Sequence, residues 1–164
     1  MDTWKKWAIG AAVVVVVGGG TRAAGLWGGS NGSSNALKFS FPTEIQTLDI
    51  SKNTDTYSGT VIGNTGANLL RVNAKGKAVP ELAKSVKVSK DGLTYTATLR
   101  SGLKWSDGSS LTAKDFVYSW QRIVDPKTAS QYAYLASGVK NADAITAGKA
   151  KVSTLGVSAK GNVI

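Results

Sequence analysis

Val86-Lys87-Val88-Ser89-Lys90-Asp91-Gly92-Leu93-Thr94-Tyr95-Thr96-Ala97-Thr98-Leu99-Arg100 decides the fold class. Apolar and polar side chains alternate on both sides of Lys90-Asp91-Gly92, the period of a strand with one buried face. Asp-Gly between alternating runs is a hairpin turn, because glycine accepts positive φ without steric cost. Tyr95, Ala97 and Leu99 share one face while Thr94, Thr96 and Thr98 share the other, so the spacing predicts a half-buried antiparallel hairpin over 86–100. Trp105-Ser106-Asp107-Gly108-Ser109 is a further turn, and a helix follows it. Thr112 with Asp115 three residues on is the acidic form of a capping box, and the carboxylate suits the positive end of the helix dipole. Phe116, Val117, Trp120, Ile123 and Val124 form one apolar stripe at helical spacing, and Asp125-Pro126 stops it. The expected helix is 112–124, with Trp105 and Trp120 read as core residues.

Outward from this pair the chain continues as mixed α and β. Leu37-Lys38-Phe39-Ser40-Phe41 alternates and halts at Pro42, as an opening strand does. Thr43 to Asp49 is irregular with two apolar anchors, and the polar, Gly-rich residues 51–68 read mostly as loop with room for a short helix. Leu69 to Val72 reads as a strand entering a turn at Asn73 to Lys77. Pro80 to Ser85 reads as a brief helical turn with proline at its first position. Helical stretches are expected over Ser130 to Ser137 and over Ala142 to Ala147, the latter closed by Gly148. Gly161-Asn162-Val163-Ile164 looks like a turn and the start of a strand.

The chain has 164 residues, 42% of them apolar, enough for one domain with a real core. It has no His and no Cys. Those absences exclude a Ser-His-Asp triad, a cysteine nucleophile, zinc-finger ligand sets and disulfides. Any metal would need an all-oxygen site, and a general base would be a carboxylate, Lys or Tyr. Three motif matches fail on context. Gly28-Gly29-Ser30-Asn31-Gly32 fits G-x-S-x-G but lies in a flexible tether instead of a strand-to-helix elbow. Ser101-Gly102-Leu103-Lys104 and Ser137-Gly138-Val139-Lys140 fit S-x-x-K, with a glycine in each that weakens the helical turn the dyad needs. Asp107, Asp115 and Asp125 read as a turn, a cap and a helix stop instead of a carboxylate set. No enzyme, no cofactor and no metal is expected.

The 20 Lys+Arg against 10 Asp+Glu could suggest a polyanion partner. Removing residues 1–30 takes away Lys5, Lys6, Arg22 and Asp2 and leaves 17 positive against 9 negative side chains, so the excess belongs to the remainder. Its lysines fall singly, without a basic run or an Arg-rich helix face, and no nucleic-acid partner is expected. Dispersed lysines suit a solvated surface with weak attraction to anionic wall polymers. Lys5 and Lys6 precede the apolar stretch Trp7 to Gly20, so residues 1–24 read as a signal-peptide-like export segment too short to span a membrane comfortably. The alternative is a buried strand built on Val13 to Val17. Residues 25–35 form a Gly/Ser/Asn tether, and 36–164 the structured part. This layout is that of bacterial surface lipoproteins, except that Trp27 stands about where their lipidated Cys would be, which puts a lipid anchor in doubt.

Within 91–135 the run from Asp91-Gly92-Leu93-Thr94-Tyr95, through Leu99 to Gly108 and Leu111 to Arg122, to Asp125-Pro126-Lys127-Thr128-Ala129-Ser130 resembles a known family. It is similar to the extracellular oligopeptide-binding proteins of ABC importers, the dipeptide/oligopeptide/nickel solute-binding family. Glu44 to Asp49, Ala147-Gly148-Lys149 and Leu155-Gly156-Val157 extend the likeness from about residue 37 onward. The resemblance implies an α/β (mixed α+β) fold: part of the first lobe of a two-lobed, periplasmic-binding-protein-like unit that closes over an extended peptide. It implies an oligopeptide ligand, ABC permease subunits as membrane partners, a monomeric receptor, and a location at the extracellular face of the cytoplasmic membrane or the cell wall of a bacterium. By position it places the family's peptide-contacting tyrosine on Tyr132 and an acidic ligand-proximal residue on Thr54, with Asp55 adjacent. Tyr132 and Tyr134 read equally as packing aromatics. Family members are several times longer, so the chain is expected to be an incomplete N-terminal lobe. The alternative reading is a truncated, non-transporting basic surface module or a decayed gene fragment.

Overall fold

The computed structural model describes residues 13–15 and 37–164, and the side chains from residue 40 onward. The chain divides into two units, residues 1–45 and 46–164. In the first, β1 (Val13–Val15) pairs in parallel with β2 (Leu37–Phe39), with Val13 opposite Leu37 and Val15 opposite Phe39. A three-residue strand thus lies inside the segment expected to direct export. The opening strand is shorter than the 37–41 expected. The G-x-S-x-G match and Trp27 lie outside the described residues.

The second unit carries the fold. Residues 51–68, expected mostly as loop, hold a ten-residue helix, α1 (Thr56–Thr65). Its signal is a cap and not a stripe: the Asp55 side chain accepts the Ser58 N–H at 2.8 Å, and Gly66 closes the far end through its N–H to the Ile62 carbonyl at 2.8 Å. β3 (Leu70–Val72) and β4 (Ala78–Pro80) then form an antiparallel hairpin. Asn73 Oδ1 accepts the N–H groups of Lys75 and Lys77, which shapes the turn between them.

Pro80 to Ser85 is not helical, a correction to the expected turn. Pro80 ends β4 opposite Leu70, and Ala83 already begins β5 (Ala83–Val88). Proline fits as well at the end of a short outer strand, where its missing N–H costs nothing. β5 pairs with β6 (Tyr95–Leu99) as the sequence requires, with Val86 opposite Ala97 and Val88 opposite Tyr95, and an irregularity between Ala83 and Ser85. The expected hairpin therefore starts three residues earlier. Gly92 takes φ +73°, the conformation for which the Asp-Gly turn was read. The outer edge of β6 is covered by the final residues. Ala97 and Ile164 exchange two hydrogen bonds of 2.9 Å, and Leu99 donates to the Asn162 carbonyl at 2.8 Å. The incipient strand at 161–164 thus finds its partner in β6.

α2 (Ala113–Val124) agrees with the expected helix, with Thr112 as its N-cap. Asp115 Oδ2 accepts both the Thr112 N–H at 2.6 Å and its hydroxyl at 2.8 Å. Asp125 then caps a turn of 3-10 helix at Pro126–Thr128 through the Lys127 N–H. The stretch expected to be helical over Ser130 to Ser137 shortens to a 3-10 turn, Ala133–Ala136. α3 (Ala142–Thr146) follows, and Gly148 at φ +70° ends its last turn as expected.

Two apolar clusters hold this unit together, and α2 belongs to both. Leu99, Leu103 and Ala113 are buried with Phe116, Leu82, Leu69 and Ile164 around them. Val124, Ala136, Ala142, Ile145 and Leu155 form the other, flanked by Ile123, Val139 and Val157. Burying a side chain such as Ile145 removes apolar area worth about 1.5–3 kcal/mol from water. Trp105 and Trp120 belong to neither cluster, which corrects the core assignment. Trp105 opens a tight, polar turn, donating its N–H to the Ser109 carbonyl, and remains 49% exposed. Trp120 sits at the middle of the α2 stripe, between the two clusters, and is only partly covered.

Candidate functional site

The uncovered middle of α2 is where a pocket forms. Trp120, Ile123 and Ser119 of α2 line one side, Leu135 and Ala136 of the 3-10 turn a second, and Ile50 and Ser51 the third, around a cavity of about 190 Å³. Its wall is mainly apolar, with two serines supplying the polar side chains.

The third wall is held by charge. Arg122, on the last turn of α2, grips Asp49 bidentately: Nη1 to Oδ1 and Nη2 to Oδ2, both at 2.5 Å. The pair is partly covered, with 31% and 27% of the two side chains exposed. Fork-to-carboxylate geometry fixes orientation as well as distance. The guanidinium beside Asp49, helped by the Ser51 N–H at 3.0 Å, holds the Asp49 carboxyl down at about 2. Thr47 Oγ1 accepts the Asp49 N–H, and Ser58 Oγ accepts the Thr47 N–H, so the 47–51 segment is tied to α1 as well as α2. The pocket wall is thereby fixed before anything enters it. Periodicity does not reveal this pair, since its partners stand 73 positions apart. The local sign is an acidic residue set between Leu48 and Ile50.

The residues placed by resemblance lie elsewhere. Tyr132 immediately precedes the 3-10 turn that carries Leu135; it is 40% exposed and meets Tyr134 edge to face, with ring centroids 6.0 Å apart. Thr54 is exposed, and Asp55 caps α1, with the Ser58 hydroxyl and N–H beside it holding its carboxyl below the usual range. Thr54 and Asp55 share the α1 entry while Tyr132 stands on a different element, and none of the three lines the pocket. Both S-x-x-K matches fall in turns, outside any helix, with Gly102 at φ +70°. Asp107 accepts from the Ser109 N–H and hydroxyl, as a turn residue. Among the described residues no cluster of three acidic side chains could hold a metal ion, and no helix is long and apolar enough to cross a membrane. What the pocket offers is a mainly apolar recess sized for a side chain, with the Ser51 and Ser119 hydroxyls in its wall.

Comparison with known proteins places this architecture. The profile of the bacterial extracellular solute-binding proteins, family 5, middle region, matches residues 77–158, from β4 to beyond α3. A dipeptide-binding protein of Lactococcus lactis is 49% identical over 152 residues, 93% of this chain and 27% of that protein. The periplasmic murein peptide-binding protein of Escherichia coli is 50% identical over 101 residues, 60% of this chain and 19% of its own length. The crystal structure of the substrate-binding domain of a Bacillus anthracis oligopeptide ABC transporter superposes with a TM-score of 0.71 at 48% identity, covering 73% of this chain and 23% of that one. The chain spans about a quarter of the length of such relatives. Their solute-binding role is one of capture and not of catalysis. With half its residues under the family profile and its fold shared with a family structure, the chain belongs to the bacterial extracellular solute-binding proteins, family 5.

Proposed function

We propose that this chain supplies part of the first lobe of a peptide-binding receptor for an ABC-type oligopeptide importer, exported to the outer face of a bacterial cytoplasmic membrane or its cell wall. The observation that carries the reading is the 49% identity to a dipeptide-binding protein over 93% of the chain. In this role the chain performs no catalysis. It contributes one wall of a cleft whose other wall a second lobe supplies, and hinge closure buries the peptide between them. Tyr132, Thr54 and Asp55 are the proposed ligand-side residues, with the Tyr132 ring offering stacking and its hydroxyl a hydrogen bond. The permease subunits are the proposed membrane partners, and the receptor acts as a monomer.

A chimera tests this directly. Residues 46–164 replace the matching segment of the Lactococcus dipeptide-binding protein, and calorimetry is run with a dipeptide pool. The chimera should bind, and Tyr132→Ala within it should weaken binding by about tenfold, the loss of one stacking and hydrogen-bonding contact. A folded chimera that takes up no peptide would overturn the reading. The alternative, a basic surface module without transport function, predicts that outcome.

A further inference from the structure

The β5–β6 hairpin carries its apolar face past the body of the unit. Two-residue alternation and the register put Val86, Val88, Tyr95, Ala97 and Leu99 on one face. At the inner end that face is core, with Ala97 and Leu99 buried. At the outer end Val88 is 52% and Tyr95 67% exposed, and Leu93, in the connecting loop, is 83% exposed. The loop that presents them is internally closed. Ser89 accepts the Gly92 N–H through its carbonyl, donates its own N–H to Thr94 O, and accepts the Thr94 N–H through its hydroxyl. Asp91 takes the Leu93 N–H and the Ser89 hydroxyl. Leu93 is therefore held out by a rigid loop. At this apolar tip stand Lys87, on the opposite face of β5, and Lys90, both exposed, and its one acid, Asp91, is occupied within the loop.

We propose that the 88–95 hairpin tip is a membrane-surface contact that inserts Val88, Leu93 and Tyr95 at the headgroup boundary of an anionic bilayer while Lys87 and Lys90 reach the lipid phosphates. The composition separates this partner from a protein. Protein interfaces are depleted in lysine, whereas lysines flanking aromatic and aliphatic side chains mark an interfacial membrane contact, the ammonium groups snorkelling to the headgroups. The charges complement an anionic leaflet, which attracts each nearby lysine. A contact of this size is a weak, orienting one that works alongside another attachment.

The chain contains no cysteine, so Leu93→Cys accepts a single environment-sensitive fluorophore in the full chain, and Ala67→Cys, in an exposed loop after α1, accepts the same label as a control. Because the dye reads its own surroundings, attachment through the apolar N-terminal run does not mimic insertion of the tip. With phosphatidylglycerol-containing vesicles the label at 93 should shift to the blue and the label at 67 should not. Pure phosphatidylcholine vesicles should give a much smaller shift. Lys87→Gln with Lys90→Gln should raise the vesicle concentration at half-shift by about twenty-five-fold, a factor of about five for each lysine. Both are exposed surface changes, and circular dichroism confirms that the fold is kept. The idea fails if the shift is indifferent to lipid charge or to the two lysines, if both labels shift alike, or if a soluble polyanion or protein without lipid produces the same response.

Discussion

Protonating Asp49 removes the carboxylate that Arg122 clamps, and the fixed wall of the pocket goes with it. Its folded-state pKa of about 2 lies below the ordinary 3.8. The stabilisation is therefore fully present above pH 3.8 and is lost as pH falls through about 2. Urea midpoints should fall across that window in the parent chain and fall less in Asp49→Asn, whose side chain does not titrate. Equal slopes in the two proteins would remove the ion pair from the account of this wall. Gly156 presents a different residue-scale test. A Cβ added there would lie 2.6 Å from Lys140 Cβ, and the Gly156 N–H already binds the Lys140 carbonyl at 2.9 Å. Gly156→Ala should cost about 1–3 kcal/mol, read as a lower thermal midpoint. Neither contact was legible in the sequence. Asp107 and Asp115 were, because turns and caps bond to neighbours a few positions away. Asp49 with Arg122, and Gly156 with Lys140, depend on chain segments that only the tertiary fold brings together.

Elements were legible where local chemistry and periodicity agreed. The Asp-Gly hairpin and the capped stripe of α2 each carry two independent signals, and both stand within a few residues of expectation. α1 carries a cap without a stripe, and Gly59 and Gly63 within it argued for loop. Pro80 failed for the converse reason: proline is equally at home at a helix start and at the end of an outer strand. The α2 cap can be measured on its own. Asp115→Ala removes the acceptor for both Thr112 groups and should destabilise the unit by about 1 kcal/mol. Asp115→Asn, which keeps an acceptor oxygen, should recover part of that loss in a urea titration.

At the scale of the molecule, the two apolar clusters are not independent, because Ala113 at one end of α2 sits in one and Val124 at the other end sits in the second. One helix cannot leave a cluster without disturbing the other. Unfolding should thus be a single transition, with tryptophan fluorescence and far-UV circular dichroism coinciding. Ile145→Ala, in the cluster away from the hairpin, should lower both signals together by about 2–5 kcal/mol. Two separated transitions would show that α2 does not couple the clusters. The family was legible at this scale because its run of residues is long and ordered. The pocket was not, since it exists only where the α2 stripe passes between the clusters and the 47–51 segment lies alongside it.

The pairing of β6 with residues 162–164 sets an order of events in time. Hairpin 83–99 draws its contacts from neighbouring residues and can form as soon as it leaves the ribosome, but the other edge of β6 has no partner until Asn162 and Ile164 have been made. Throughout that interval the nascent chain carries an open strand edge beside uncovered apolar side chains, the combination on which chains cross-associate. That vulnerable interval closes when residues 162–164 pair with β6, and a holdase that shields residues 95–99 would act within it.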